Sequence, residues 1–151
     1  MTEKPPEPRV VDMEKIGPSR FRATNVRGGV LPIGNGEDPD FSPVELLLAA
    51  LAACGAVTLD PITSRRATAE SFRARAEGMK VHEDGATRIA DIVVTFDLVF
   101  PEGEAGDAAR AVLPSALQRT HDRICTVSRT VEAGEPVIMQ LGEIPTLPPV
   151  E

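Results

Sequence analysis

The stretch SPVELLLAALAACGAVTLD, residues 42–60, most constrains what this chain can become. Ser42 suits a helix N-cap, Pro43 the first helical position and Glu45 the third. Together they make a capping box: the serine hydroxyl accepts from the Glu45 amide, and the glutamate reaches back to the serine amide. The body that follows is apolar almost all round, and a helix apolar on every face is buried on every face. The chain has 151 residues, enough for one domain with a real core. Burying such a helix there needs a sheet on one side and another helix, from this chain or a second subunit, on the other.

The segments around it read as short strands and amphipathic helices. Residues 9–16, 20–26 and 30–33 are strand candidates, separated by Gly17-Pro18 and Gly28-Gly29, and imply an antiparallel meander. Residues 34–41 read as a loop. In residues 71–81, Phe72, Ala74 and Ala76 alternate with Arg73, Arg75 and Glu77; in residues 89–100, Ile92, Val94, Phe96, Leu98 and Phe100 alternate with polar residues. These are two hairpin strands, each with one wet face. The turn lies in residues 82–87, with Asp84-Gly85 at its tip. Even-numbered positions are apolar on both strands, so paired residue numbers must have an even sum. A plain two-residue turn gives an odd sum, which predicts an odd-length loop or a bulge.

Helix is expected over about residues 107–121, kinked or broken at Pro114, and over a short segment starting near Cys125 and closed at Gly134. Residues 136–141 read as a last strand. The order is that of an α+β domain built on antiparallel sheets with a central buried helix. Residues 1–8 are rich in proline and charge and expected to be loose, residues 9–141 form the single domain, and residues 142–151 make a Pro-rich tail.

The net charge of −7 argues against binding nucleic acid or anionic membrane, since both need a basic face. Residues 1–15 lack the apolar core of a secretory signal, and the run from Leu46 to Cys54 is too short to span a bilayer. A cytoplasmic location is the expectation. The chain carries two cysteines, and in a reducing compartment such residues are inert core or reactive thiols. No dinucleotide fingerprint, phosphate loop or nucleophile elbow is present, so no cofactor is expected.

The two cysteines differ in character. Cys54 lies among alanines with no local base or cation, and by itself reads as a small core residue. Cys125 lies between Arg123 and Arg129 at a helix start, where cations and amide dipoles lower a thiol pKa; an ordinary cysteine at such a position is the alternative. His121 and Cys125 at i, i+4, joined by Cys54, offer three metal ligands without a fourth, so no metal is expected. His82 falls in the hairpin turn and reads as solvated.

The segment SPVELLLAALAAC, followed some seventy residues later by CTVSRTV, resembles the OsmC/Ohr family of osmotically inducible and organic hydroperoxide resistance proteins, in an OsmC-like branch. The family pattern has a cysteine on a buried helix opened by a Pro-Glu-Leu-like turn, and a second cysteine opening a Cys-Pro-Val-Ser-like segment. The resemblance covers about residues 9–141. It implies an OsmC-like fold and an intertwined homodimer with the two long helices at its centre. It also implies a thiol peroxidase, in which Cys54 attacks an organic hydroperoxide, Cys125 resolves the sulfenic acid to a disulfide, and an external dithiol reductant restores the pair. Peroxidases of the family place a glutamate directly after the proline. Here Val44 holds that position and the glutamate is Glu45. Glu45 and Cys54 are about 13.5 Å apart along one helix and on opposite sides, so Glu45 would serve Cys54 across the dimer. Arg20, Arg22 and Arg27 are candidates for the arginine that steadies the family thiolate. The alternative function is a dimer that binds a small apolar ligand without turning over peroxide; a third is a dimer whose cysteines are structural.

Overall fold

The computed structural model describes residues 3–145. The chain has two compact units. One holds the segment up to Pro43 and the segment from Met139; the other holds Val44–Ile138.

The first unit carries β1 (Val11–Gly17), β2 (Arg20–Asn25) and β3 (Val30–Ile33), paired antiparallel in that order. This is the expected meander. The β2–β3 turn is organised by Asn25, whose side-chain oxygen accepts from the amides of Arg27 and Gly29, both at 3.0 Å. Gly28 supplies the positive φ of 84° that this turn requires. After β3 a parallel bridge between Ile33 and Phe41 closes the loop. Arg20 clamps the same loop through Asp40 and, at 3.9 Å, Asp38.

The second unit is built on α1 (Pro43–Ser64), the hairpin β4 (Ser71–Glu83) and β5 (Ala86–Val99), and the helices α2 (Glu104–Arg119) and α3 (Thr126–Ala133). Phe72, Ala74 and Ala76 pair with Leu98, Phe96 and Val94, so the apolar positions share one face. The turn is nevertheless a two-residue one, with Asp84 and Gly85 both at positive φ, as a type I′ turn requires. The register is odd beside the turn and becomes even beyond it. The change occurs opposite Gly78, where β5 spends one extra residue. Asp91, at φ 52°, lies there. Of the two solutions the alternation allowed, the chain uses the bulge.

α1 buries Leu51, Gly55, Leu59 and Thr63, a stripe at i, i+4 spacing that makes one face of the helix. Gly55 is required there. A β-carbon on it would lie 2.4 Å from Cζ of Phe96, whose ring packs edge-on against Phe72 at 6.4 Å between centroids. The described residues cover the other faces of α1 only in part: Val57 is 70% exposed. By length and composition alone α1 could cross a bilayer, a test that the core helix of a soluble protein also passes. The apolar run ending at Cys54 understated this length, because the helix continues through Gly55–Leu59. A second core cluster joins Ala67, Phe100 and Ala109 beneath α2.

Two expectations are corrected. α2 runs unbroken through Pro114, and the irregularity comes six residues later as a single π-turn, Thr120–Ile124. The helix needs no break because proline removes only one donor, and the neighbouring turns remain bonded. Residues 136–141 form no strand; Val137, Ile138, Met139 and Leu141 are largely exposed. An apolar run pairs only where a strand edge is offered to it, and none is paired with this one. Of the expected tail, residues 146–151 lie outside the described residues.

Candidate active site

Cys54 and Cys125, 71 positions apart, meet in space. Their thiols are close enough to hydrogen-bond, and both are free. Each is positioned by a different local device. Cys54 projects from the flank of the buried stripe of α1 and is half-buried. Cys125 is the N-cap residue of α3, in extended backbone at φ −67° and ψ 99°, and is 3% exposed. The π-turn delivers it there: the Cys125 amide donates to the Thr120 carbonyl at 2.9 Å, five residues back. At its far end α3 is closed by Gly134 in the left-handed conformation, as expected.

The pair lies at the amide end of α3, and the surroundings divide the two thiols. Burial pushes Cys54 up, and its hydrogen bond to Cys125 pushes it further; the Val127 and Thr126 amides pull the other way without prevailing. Burial also pushes Cys125 up, but there it loses. The Ser128 hydroxyl, the Cys54 thiol and the amides of Ser128 and Val127 together bring Cys125 below the ordinary thiol range. The two directions are consistent: a Cys54 S–H donating to a Cys125 thiolate keeps the proton on one sulfur and the charge on the other. The Ser128 hydroxyl also lies 3.3 Å from the Cys125 carbonyl oxygen, so its one proton serves either the carbonyl or the sulfur.

Of the cations anticipated around Cys125, Arg129 is engaged elsewhere. Arg129 donates to the Asp122 carbonyl oxygen. The main forces that lower the Cys125 thiol are neutral dipoles.

Beside the pair is a cavity of about 590 Å³, walled chiefly by apolar side chains including Leu51, Val94, Phe96 and Leu117. Cys125, Thr120 and Ser128 also line it. Thr120 is 2% exposed, and its hydroxyl is a buried side-chain oxygen without a hydrogen-bond partner among the described residues. At the rim His121 is held between Asp122, 3.1 Å from Nδ1, and Glu132, 2.9 Å from Nε2. These two acids raise its pKa above the ordinary histidine value.

The remaining sequence candidates are placed elsewhere. Glu45 is exposed in the first turn of α1, nine residues before Cys54 on the same helix. Arg20 and Arg22 belong to the first unit, where Arg20 is paired with Asp38 and Asp40 and Arg22 with Glu14. Arg27 sits in the turn after β2. Sequence reasoning missed Thr120, Ser128 and Glu132. Only Ser128 left a signal, a hydroxyl three residues after a cysteine at a helix start.

The OsmC-like protein family matches residues 34–140. The chain belongs to the OsmC-like family. An uncharacterised protein of Mycobacterium tuberculosis is 28% identical over 134 residues, covering 87% of this chain and 95% of the relative. Among solved structures, an OsmC-like protein of unknown function from Vibrio cholerae superposes with a TM-score of 0.68 at 16% identity, over 83% of this chain and 94% of that one. An organic hydroperoxide resistance protein OsmC from Legionella pneumophila gives 0.53 at 14% identity, over 85% and 91%. At these identities the structural likeness establishes the OsmC-like fold, α+β with antiparallel sheets, as the resemblance implied.

Proposed function

We propose that this OsmC-like protein reduces organic hydroperoxides with the thiol pair Cys54 and Cys125, working as a homodimer and regenerated by an external dithiol in a reducing compartment such as the cytoplasm. The observation that carries the reading is the meeting of the two thiols at the amide end of α3, beside a largely apolar cavity. Peroxide reduction needs a thiolate, a second thiol within reach of its sulfenic acid, and apolar space for the alkyl group. A thiol held below its ordinary pKa, a second thiol beside it and apolar space lie together in one chain, which supports the reading. The family's Legionella member is named for hydroperoxide resistance, which supports the same substrate class.

One sulfur attacks the peroxide and becomes a sulfenic acid, releasing an alcohol. The other displaces water and closes the disulfide. The family pattern assigns attack to Cys54 and resolution to Cys125; the overall chemistry is the same in either order. The dimer reading is supported by α1, where the described residues leave apolar side chains such as Leu47 and Val57 exposed. Glu45 lies too far along α1 to serve Cys54 in its own chain, so it would act on the thiols of a second copy.

A second reading, a dimer that binds a small apolar ligand without turnover, is favoured by two observations. Val44 stands at the family's glutamate position, and Arg20 and Arg22 are each paired with carboxylates of their own unit. Mixing reduced protein with cumene hydroperoxide and counting free thiols separates the two. Turnover predicts rapid loss of both thiols and one intramolecular disulfide per chain. Survival of both thiols in excess peroxide would leave only the binding reading.

A further inference from the structure

We propose that Thr120 is a specificity-determining residue of the cavity: its buried hydroxyl binds the polar head of a ligand whose body is apolar, and so selects a hydroperoxide or an alcohol over a hydrocarbon. The inference rests on the reading that this cavity receives the hydroperoxide, and it adds the group that recognises the head.

The first observation is where the polar side chains of the cavity wall spend their hydrogen bonds. Besides Cys125, those side chains are Gln118, Thr120, His121, Ser128 and Glu132. Four of the five have partners within the chain. Gln118 donates to Asp122 at 2.8 Å, His121 and Glu132 bond to each other at 2.9 Å, and the Ser128 hydroxyl has the Cys125 carbonyl oxygen at 3.3 Å. Thr120 differs: it is buried, and its hydroxyl has no partner among the described residues. A threonine in a helix can give its hydroxyl to the carbonyl one turn back. Thr58 does so to Cys54 and Thr130 to Thr126, both at 2.8 Å. Thr120 forgoes that bond. A buried hydroxyl without a bond is unfavourable until something polar reaches it. A ligand oxygen supplies that partner.

The second observation is position. The Cys125 amide donates to the Thr120 carbonyl at 2.9 Å, so a single π-turn joins the two residues. Both line the cavity. A head group held by Thr120 is therefore held on the side of the cavity where the thiol pair lies.

The third is the chemistry of the fit. A hydroxyl can donate one hydrogen bond and accept two. The O–O–H of a hydroperoxide and the O–H of an alcohol can do the same, whereas a hydrocarbon can do neither. The apolar remainder of the wall suits the body of such a molecule, and about 590 Å³ is the size of a small-molecule site. The Thr120 oxygen is closed to solvent where it stands, and one rotation about Cα–Cβ exchanges it with the methyl group. A ligand that fills the cavity and leaves this hydroxyl unpaired binds at a disadvantage.

The test uses the full-length reduced protein and two probes of similar shape, 2-phenyl-2-propanol and the hydrocarbon cumene, titrated by NMR. Thr120→Val removes the hydroxyl and keeps the shape. The dissociation constant for the alcohol is expected to rise about threefold to tenfold, the worth of one hydrogen bond. Cumene is expected to bind as tightly as before or more so. Thr120→Ser restores a hydroxyl and should restore the alcohol affinity. The melting temperature of Thr120→Val should hold or rise, because a methyl group replaces an unpaired hydroxyl; a hydroxyl with a purely structural role would make it fall. Equal weakening of both probes, no change for the alcohol, or a lower melting temperature without selective loss overturns the proposal. Survival of both wild-type thiols in excess cumene hydroperoxide, with the selective loss of alcohol intact, overturns peroxide reduction and leaves Thr120 in its role. One measurement needs no variant: wild type should show NOEs between the bound alcohol and the Thr120 methyl group. Bound alcohol without them, or no binding of the alcohol at all, also overturns the proposal.

Discussion

Cys54 sits in mid-helix with Ala52, Ala53 and Gly55 as neighbours, while Cys125 sits between a π-turn and a helix start with Thr120, Thr126 and Ser128 around it. The first region is regular and apolar, with its backbone donors already spent. The second is irregular, and its irregularity brings a helix start and its polar side chains close to a sulfur. The difference teaches that a helix interior can hold a thiol in position without activating it. A helix start can do both, provided the chain is delivered to it in extended conformation. In this protein the two regions supply one function between them: position from α1, polarity from α3.

That division of labour can be broken at several points. The largest effect is expected from the packing of α1. Leu59 is fully buried, so Leu59→Ala should lower stability by about 2–5 kcal/mol in denaturant unfolding. Adding one carbon at Gly55 should cost about 1–3 kcal/mol, because the Phe96 ring or the helix must move away. That shift should also displace Cys54 next door, and slower disulfide closure after a peroxide pulse would report it. If Gly55→Ala leaves both stability and closure unchanged, α1 does not position its thiol through this contact.

Ser128→Ala tests the polar side. It should slow alkylation of Cys125 at neutral pH severalfold, leave Cys54 nearly unchanged and alter stability by less than about 1 kcal/mol. Equal slowing at both cysteines would mean that the serine acts on the helix rather than on the sulfur. The smallest effect concerns His121. Its two acids raise its pKa, so the folded state favours the proton. The resulting stability is present below the ordinary histidine range and lost as pH rises through the raised value. Wild type should therefore lose melting temperature relative to His121→Gln between about pH 6 and 8, by a small margin because the group is more than half exposed. Parallel profiles would remove the ion pairs from the account.

Much of the fold was legible because it follows from local chemistry. The Ser42–Pro43 start of α1, the three strands of the meander and the alternation in β4 and β5 each need only nearest neighbours along the chain. The meeting of Cys54 and Cys125 was legible through a resemblance, since nothing in their separation dictates contact. Thr120 was hidden because a threonine before a histidine carries no mark of a π-turn. Whether a helix tightens or widens there depends on how α2 and α3 are held. The missing strand at residues 136–141 failed for a related reason. Its apolar residues satisfy the pattern of a strand, but pairing is a property of two segments and the sequence shows only one. Pro114 shows the converse, a residue whose local cost the surrounding helix absorbs.

The bulge at Asp91 has a consequence for how this hairpin can change length. The two-residue turn and the extra residue in β5 are separately wrong and jointly right: each moves the register by one, and together they keep the aromatic face inward. A single insertion in the turn would therefore send Phe72 and Phe96 to opposite sides of the ribbon unless the extra residue near Asp91 were lost with it. Viable length variants of this hairpin should come as compensated pairs, one change at the tip and one a half-dozen residues down the strand. Descent or engineering would have to make both changes, because the intermediate has its core on the outside.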